Sequence, residues 1–225
     1  MSRAYQQTAL TFTLAHTREH QDVSTEFHTA HGPFTLVPLP GRRSSLVCVV
    51  ADDEAERIRA LAPEALDAEI ERRSHSTLGK MHVEPGYGVF PVSIATASRF
   101  AANRVALIGE AAHSFPPIGA QGLNLGVRDA VAIAEIVSDI HRRGGDIADA
   151  VDAYGRQRRS DIASRSIAVD LLNRSLLSDF LAVQGLRGLT LYALDRIGPL
   201  RRAAMREGVA PRAGLPALMR GEESP

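Results

Sequence analysis

The sequence predicts a mixed fold in three parts: an antiparallel α+β sheet region at residues 1–98, an α/β strand–loop–helix at 99–160, and a helical region with a tail at 161–225. Three observations predict it. The first hundred residues carry short alternating apolar runs separated by Gly/Pro turns. A single apolar run at Arg104–Ile108 is followed by a Gly- and Pro-containing loop and a long helical pattern. After Asp146 the pattern stays helical to about Arg206.

The elements follow in order. Gln7 to Leu14 alternates polar and apolar residues, as a half-buried strand does. Phe34–Leu39 and Ser45–Val50 are two further strands, and the Pro40-Gly41-Arg42-Arg43 turn between them makes them a hairpin. Asp52 or Asp53 can cap a helix, and Glu54–Leu78 reads as two helices split at Pro63. Gly88–Ile94 is another strand. Arg104–Ile108 has the look of a buried strand. From Gly122 to Arg143 a helix carries an apolar stripe at Val127, Ala130, Val131, Ala134 and Val137. Ile133, Ile136 and Ile140 widen it, which predicts burial on most sides. Gly144-Gly145 ends that helix. The tail after Gly208 is expected to be irregular.

Composition narrows the function. Hydrophobic residues make up 44% of the 225, enough for a sizeable core. Lys+Arg and Asp+Glu are equal at 26 each, which gives no electrostatic case for nucleic acid or an anionic membrane surface. The lone cysteine, Cys48, lies in an apolar run and reads as a core residue, which suits a reducing cytoplasm. No apolar run approaches the roughly 20 residues of a membrane span, and no apolar stretch behind Met1–Tyr5 suggests a secretory signal.

The chemistry concentrates at Gly109–Asp129. A Gly-acid pair after a strand puts a carboxylate where open α/β sheets bind ligands, within reach of sugar or polyol hydroxyls. Pro116-Pro117 stiffens the loop. Gly119 and Gly122 lack a Cβ, so backbone can approach a flat ligand. The free N–H groups near Leu123 and Asn124, at a helix start, favour negative charge.

This run resembles the second FAD signature of the aromatic-ring hydroxylases of the para-hydroxybenzoate hydroxylase fold, and within them the ubiquinone-biosynthesis hydroxylases. Gly109, Ala111, Ala112, His113, Pro117, Gly119, Gln121, Gly122, Asn124, Gly126 and Asp129 match the family pattern. Gly32–Gly41 and Phe90-Pro91-Val92 resemble the same subgroup. The family has Asp where this chain has Glu110. The sequence contains no Gly-x-Gly-x-x-Gly and no middle Asp-Gly motif, so the resemblance implies the C-terminal portion of such a protein, with residues 99–160 closing an FAD domain beside a substrate domain at 1–98.

The resemblance assigns roles. Glu110 binds the ribityl or diphosphate part of FAD, and the backbone around Gly119, Gly122, Leu123 and Asn124 holds the pyrimidine edge of the ring, with Gly109, Gln121 and Pro117 in the same cofactor set. Pro117, Phe90 and Pro91 face the substrate. No side chain is assigned as catalytic, because the flavin carries the chemistry, with NAD(P)H or another electron donor and O₂ as co-substrates. The implied activity is monooxygenation of a phenolic ring, with a polyprenylated ubiquinone precursor as substrate. Other ubiquinone-biosynthesis proteins and a membrane surface are the implied partners of a cytoplasmic protein. Two alternatives are a flavin hydroxylase of a soluble aromatic compound and a non-catalytic module that cannot hold FAD alone.

Smaller signals point elsewhere. His16 and His20 stand at i, i+4, but the segment follows a strand and offers no third ligand, so no metal site is expected. His113 either relays protons or satisfies a loop or core hydrogen bond. Arg156, Arg158 and Arg159 read as a solvated helix face, and Tyr154 as core. Leu171, Leu172, Leu176, Leu177, Phe180 and Leu181 read as helix packing, with a channel for a greasy substrate or a partner contact as alternatives.

Overall fold

A computed structural model of the chain describes residues 2–117, 121–176, 181–209 and 219. The fold is mixed α/β with an antiparallel sheet, as the sequence predicts. The chain divides into two compact units, Ala4–Ser93 and Ile94–Pro225 with Met1–Arg3.

The first unit is built on five strands: β1 (Ser2–His16), β2 (Thr25–Thr29), β3 (Gly32–Leu39), β4 (Arg43–Ala51) and β5 (Met81–Thr96), side by side in the order β2-β3-β4-β1-β5. The β3–β4 hairpin turns through residues 40–42, with Leu39 opposite Arg43 and Gly41 at φ 79°. β1 runs antiparallel to β4 with Leu10 opposite Cys48 and Phe12 opposite Leu46. That register puts Leu10, Phe12, Leu14, Leu36, Leu46, Cys48 and Val50 into one buried cluster. Helices α1 (Asp52–Arg59) and α2 (Pro63–Arg73) cover the cluster with Ala55, Ile58 and Ile70. Burial also pushes the Cys48 thiol up to about 11, so it packs and does not react.

Three details differ from the sequence reading. Strand β2 alternates at Thr25–Thr29 but is too short to be read alone; it forms because Phe27 sits opposite Phe34 of β3. The N-cap of α1 is Ala51, without a side-chain cap. Asp52 instead accepts a hydrogen bond from the Thr8 hydroxyl, and Asp53 Oδ1 takes the Glu54 N–H. Helix α2 begins with Pro63 at its first turn but stops at Arg73, short of Leu78. His75 and Ser76 adopt positive φ there, which no helix continues through.

The second unit contains the strand pair β6 (Ala101–Ala102) and β7 (Val105–Ala106), a 3₁₀ turn at Gly109–Ala111, β8 (His113–Ser114) and four helices. These are α3 (Gln121–Arg142), α4 (Ile147–Leu176), α5 (Leu181–Arg196) and α6 (Gly198–Val209). Strand β8 pairs with the end of β5, Thr96 opposite His113. Asp146 Oδ1 accepts the Ala148 N–H at the start of α4. The core gathers Phe100, Ala112, Ala132, Tyr154 and Ile162.

Here two predictions are corrected. Arg104–Ile108 is not a buried strand. Asn103 and Arg104 both have positive φ and form the two-residue turn of a short hairpin, leaving Val105 59% and Ile108 43% exposed. Helix α3 is not buried on most sides either. Leu125, Arg128, Asp129 and Ala132 face inward, while Leu123, Val127, Ala130 and Ala134 lie on an exposed stripe. The apolar count was right, but two polar side chains occupy the buried face. Residues 210–218 and 220–225 of the tail, and Gly119 in the loop, lie outside the described residues.

Candidate functional site

The loop before α3 is held by one carboxylate. Gly109 takes φ 58°, a conformation that favours glycine, and its N–H donates to Asp129 Oδ2 at 2.9 Å. It also lets the loop lie against the helix: a Cβ on Gly126 would stand 3.4 Å from the Gly109 Cα. The same Asp129 oxygen accepts from His113 Nε2 at 2.7 Å, and Oδ1 accepts from Arg158 Nε at 2.7 Å. Arg158 Nη1 then donates to Asp161 at 2.6 Å. A carboxylate can only accept, so His113 carries its proton on Nε2. Its Nδ1 has no hydrogen-bond partner among the described residues.

His113, Asp129 and Arg158 are all buried. Burial works to raise the Asp129 pKa, but the hydrogen bonds from His113 and Gly109 and the Arg158 charge outweigh it and hold the carboxyl below its ordinary range. Tyr154 is buried beside this network and donates to the Leu107 carbonyl at 2.8 Å. Burial first, then the Asp129 charge, pushes its phenol up, so it acts as a fixed donor.

The network therefore fixes a chain segment whose free groups face outward. Glu110 lies on the 3₁₀ turn, exposed, with no hydrogen bond or ion pair among the described residues. It borders an open cleft of about 290 Å³ between residues 95–97 and 110–113. At the other end of the loop α3 starts without an acidic residue in its first turn. Gly122 stands in that turn with nothing among the described residues within 4 Å of where a Cβ would be, and Leu123 and Asn124 are exposed. A free carboxylate, a clear backbone surface and a helix N-terminus without competing acid suit a ligand that combines hydroxyls, a flat ring and negative charge. FAD is such a ligand, and when bound it supplies the redox chemistry.

Other predicted residues fall as follows. Pro117 is exposed, and Gln121 begins α3. Phe90 and Pro91 are exposed on β5 in the sheet unit. His16 Nδ1 donates to the Arg18 carbonyl. His20 Nε2 donates to the carbonyls of Leu39 and Gly41 while its Nδ1 accepts the Asp22 N–H, so His20 has no nitrogen left for a metal. Arg158 corrects the reading of its charge run: Arg156 and Arg159 are exposed, but Arg158 is 1% exposed and ion-paired. Its spacing of four from buried Tyr154 and of four from buried Ile162 was the available signal. Leu171 is 62% exposed, against the packing expected of it; the side chains of Leu172, Leu176, Leu177, Phe180 and Leu181 lie outside the described residues.

The family model described as FAD binding domain matches residues 3–168. This chain belongs to that family. It is 37% identical over 223 residues to the ubiquinone hydroxylase UbiL of Rhodospirillum rubrum, covering 96% of this chain and 52% of that protein. It is 27% identical over 205 residues to the 3-demethoxyubiquinol 3-hydroxylase of Escherichia coli, covering 90% and 52%. The chain thus spans about half the length of these relatives. Among solved structures it resembles PqsL, a probable FAD-dependent monooxygenase from Pseudomonas aeruginosa, with a TM-score of 0.67, 23% identity and coverage of 82% of this chain and 53% of that one. Klebsiella pneumoniae HpxO, solved with FAD and uric acid, gives 0.63 at 19% identity, covering 89% and 53%. At these identities the likeness shows the fold: that of the FAD-dependent hydroxylases predicted from the motif.

Proposed function

We propose that this chain supplies the flavin-ring and ribityl side of an FAD-dependent monooxygenase that hydroxylates a phenolic ring in ubiquinone biosynthesis. The observation that carries the proposal is the loop held by Asp129, which presents Glu110 and the start of α3 as free groups while its own polar atoms are buried. Glu110 accepts hydrogen bonds from the ribityl or diphosphate region. The backbone at Gly109, Gln121, Gly122, Leu123 and Asn124 is assigned to the polar edge of the ring, and Pro117 to the substrate. The relatives named as ubiquinone hydroxylases support an aromatic, prenylated substrate. NAD(P)H or another donor and O₂ complete the reaction.

The pyrophosphate cradle of such flavoproteins is a Gly-x-Gly-x-x-Gly turn, which these 225 residues do not contain. The test therefore joins the chain to a family N-terminal half that has the cradle and expresses the product in a strain lacking its ubiquinone hydroxylase. Flavin-bound protein and restored quinone are expected. A folded chimera without flavin would overturn the cofactor site. One with flavin but an unchanged quinone precursor would overturn the substrate. The chain by itself is expected to lose added FAD on gel filtration.

A further inference from the structure

We propose that Tyr154 of α4, outside the Gly109–Asp129 motif, is a positioning residue for the cofactor: its hydroxyl sets the direction in which the Glu110 turn leaves the β6–β7 hairpin. This rests on the reading that Glu110 meets the flavin's hydroxyls.

The spacing of α4 brings it to the turn. Ala150, Tyr154, Arg158 and Ile162 recur every four residues and are all buried, so they form one inward face. Gly155 lets that face come close, since a Cβ there would stand 3.2 Å from the Ala101 Cβ of β6. Two successive members of the face then hold the turn. Arg158 acts through Asp129, which takes the Gly109 N–H and the His113 ring. Tyr154 acts directly, donating to the Leu107 carbonyl at 2.8 Å.

These two anchors do different things. The Leu107 N–H donates to the Phe100 carbonyl, the Ala112 N–H to the Gly109 carbonyl, and the Ala97 N–H to the Ala112 carbonyl. Those bonds close the hairpin and the turn, but none of them acts on the peptide plane that joins Leu107 to Ile108. Among the described residues, only the Tyr154 hydroxyl bonds the carbonyl of that plane. Ile108 is exposed, and no neighbouring wall fixes it. A tilt of the plane therefore carries Gly109 and Glu110 with it. Glu110 makes no hydrogen bond or ion pair among the described residues, so backbone alone sets where its carboxylate stands. Hydrogen bonds weaken steeply with distance and angle, so a small displacement is felt by the ligand.

The test measures FAD affinity in the chimera with a complete cradle for the parent, Y154F, E110A and the double variant. Phenylalanine keeps the ring in the core and removes only the hydroxyl. Y154F is expected to weaken FAD roughly fivefold. Once E110A is in place, it should add less than about twofold, because the group it positions is gone. A side chain that only stabilises the fold would give effects that multiply in the double variant. A second reading needs no cofactor: in the flavin-free chain, Y154F should speed amide exchange at Gly109 and Ala112 and leave β1 and β4 as protected as in the parent. Parental FAD affinity in Y154F, multiplying effects, or unchanged exchange at Gly109 and Ala112 would each overturn the proposal. Parental affinity in E110A with weakened binding in Y154F would instead overturn the reading of Glu110, and the positioning role with it.

Discussion

The two units carry their charges in opposite ways. In the sheet unit exposed arginines stand beside carboxylates, Arg43 with Glu84 and Arg57 and Arg72 around Glu54 and Glu69, with half-buried Arg73 joining the second group. In the helical unit buried Arg158 is tied to buried Asp129, while Arg201, Arg202 and Arg206 of α6 have no carboxylate partner among the described residues. The sheet unit closes on its own apolar cluster, and its charges decorate it. The helical unit spends a buried ion pair on fixing one loop and leaves apolar and cationic surface outside. The first pattern keeps charge outside the core, and the second puts an ion pair inside it.

The sharpest way to break this contrast is Arg158→Ala. It leaves Asp129 buried without its cation, and such a loss costs roughly 3–5 kcal/mol. Removing the exposed Arg43 by R43A should cost no more than about 1 kcal/mol. Denaturant unfolding with amide hydrogen exchange would check both. The loss in R158A should appear first in the amides around Gly109 and His113, while those of β1 and β4 keep their protection. Equal losses in the two variants would erase the distinction between the units.

Gly109→Ala comes next. A Cβ there would meet nothing closer than the Gly126 Cα at 3.8 Å, so space is not the obstacle. The cost is conformational: a left-handed residue with a side chain loses about 1–2 kcal/mol. Gly122→Ala is the control, since that position is helical and open, and alanine favours a helix by about 0.8–1.0 kcal/mol over glycine. Thermal melting should therefore move down for G109A and not down for G122A. In a flavin-bound chimera the order of damage to flavin content reverses if Gly122 lies against the ring.

How far the sequence reached is visible in these same residues. The motif Gly109–Asp129 disclosed the family, and the alternation at Gln7–Leu14 and the turn at Pro40–Arg43 disclosed the sheet. Asp129 was matched as a motif position, but its partner Arg158 is 29 residues away and its charge suggested solvent. A buried ion pair is set by tertiary contact, and local periodicity cannot separate it from a solvated face. The hairpin at Asn103-Arg104 was missed for a similar reason. A run of five apolar-leaning residues does not say whether a neighbouring strand covers it.

Acid should also separate the units. Burial alone would raise Glu69, but the hydrogen bonds and charges of Arg72 and Arg73 overcome it and hold the carboxyl at about 2. A carboxylate lowered by folding contributes stability that is fully present above its unfolded value near 4.5 and is lost as pH falls toward 2. Asp129 is lowered too, so its contribution fades in the same direction. The sheet unit should weaken between about pH 4.5 and 2, and the helical unit as pH falls below about 3.8. E69Q should flatten that dependence for the amides of α1 and α2 and leave those around Gly109 and His113 unchanged. A common response in both sets would mean that the Glu69 cluster is not confined to the sheet unit.

The smallest effect on stability is expected at the residue proposed to meet the flavin's hydroxyls. Glu110 is exposed and makes no hydrogen bond or ion pair among the described residues, so Glu110→Ala and Glu110→Asp should each change stability by no more than about 0.5 kcal/mol. Their effects on flavin should differ. In the chimera with a complete cradle, alanine removes the acceptor for the cofactor's hydroxyls and leaves them poorly paired in the bound state. Aspartate keeps the charge one methylene shorter, and the loop is anchored behind it by Asp129 and not by Glu110 itself, so a small shift of the 3₁₀ turn can restore reach. Flavin per protein after gel filtration should fall for E110A and hold for E110D, with unchanged melting of the flavin-free chain in both. Equal flavin content in E110A and the parent would remove Glu110 from the site. A drop in melting as large as that of R158A would instead make it part of the frame, and the division between a buried network that holds the loop and an exposed carboxylate that uses it would fail.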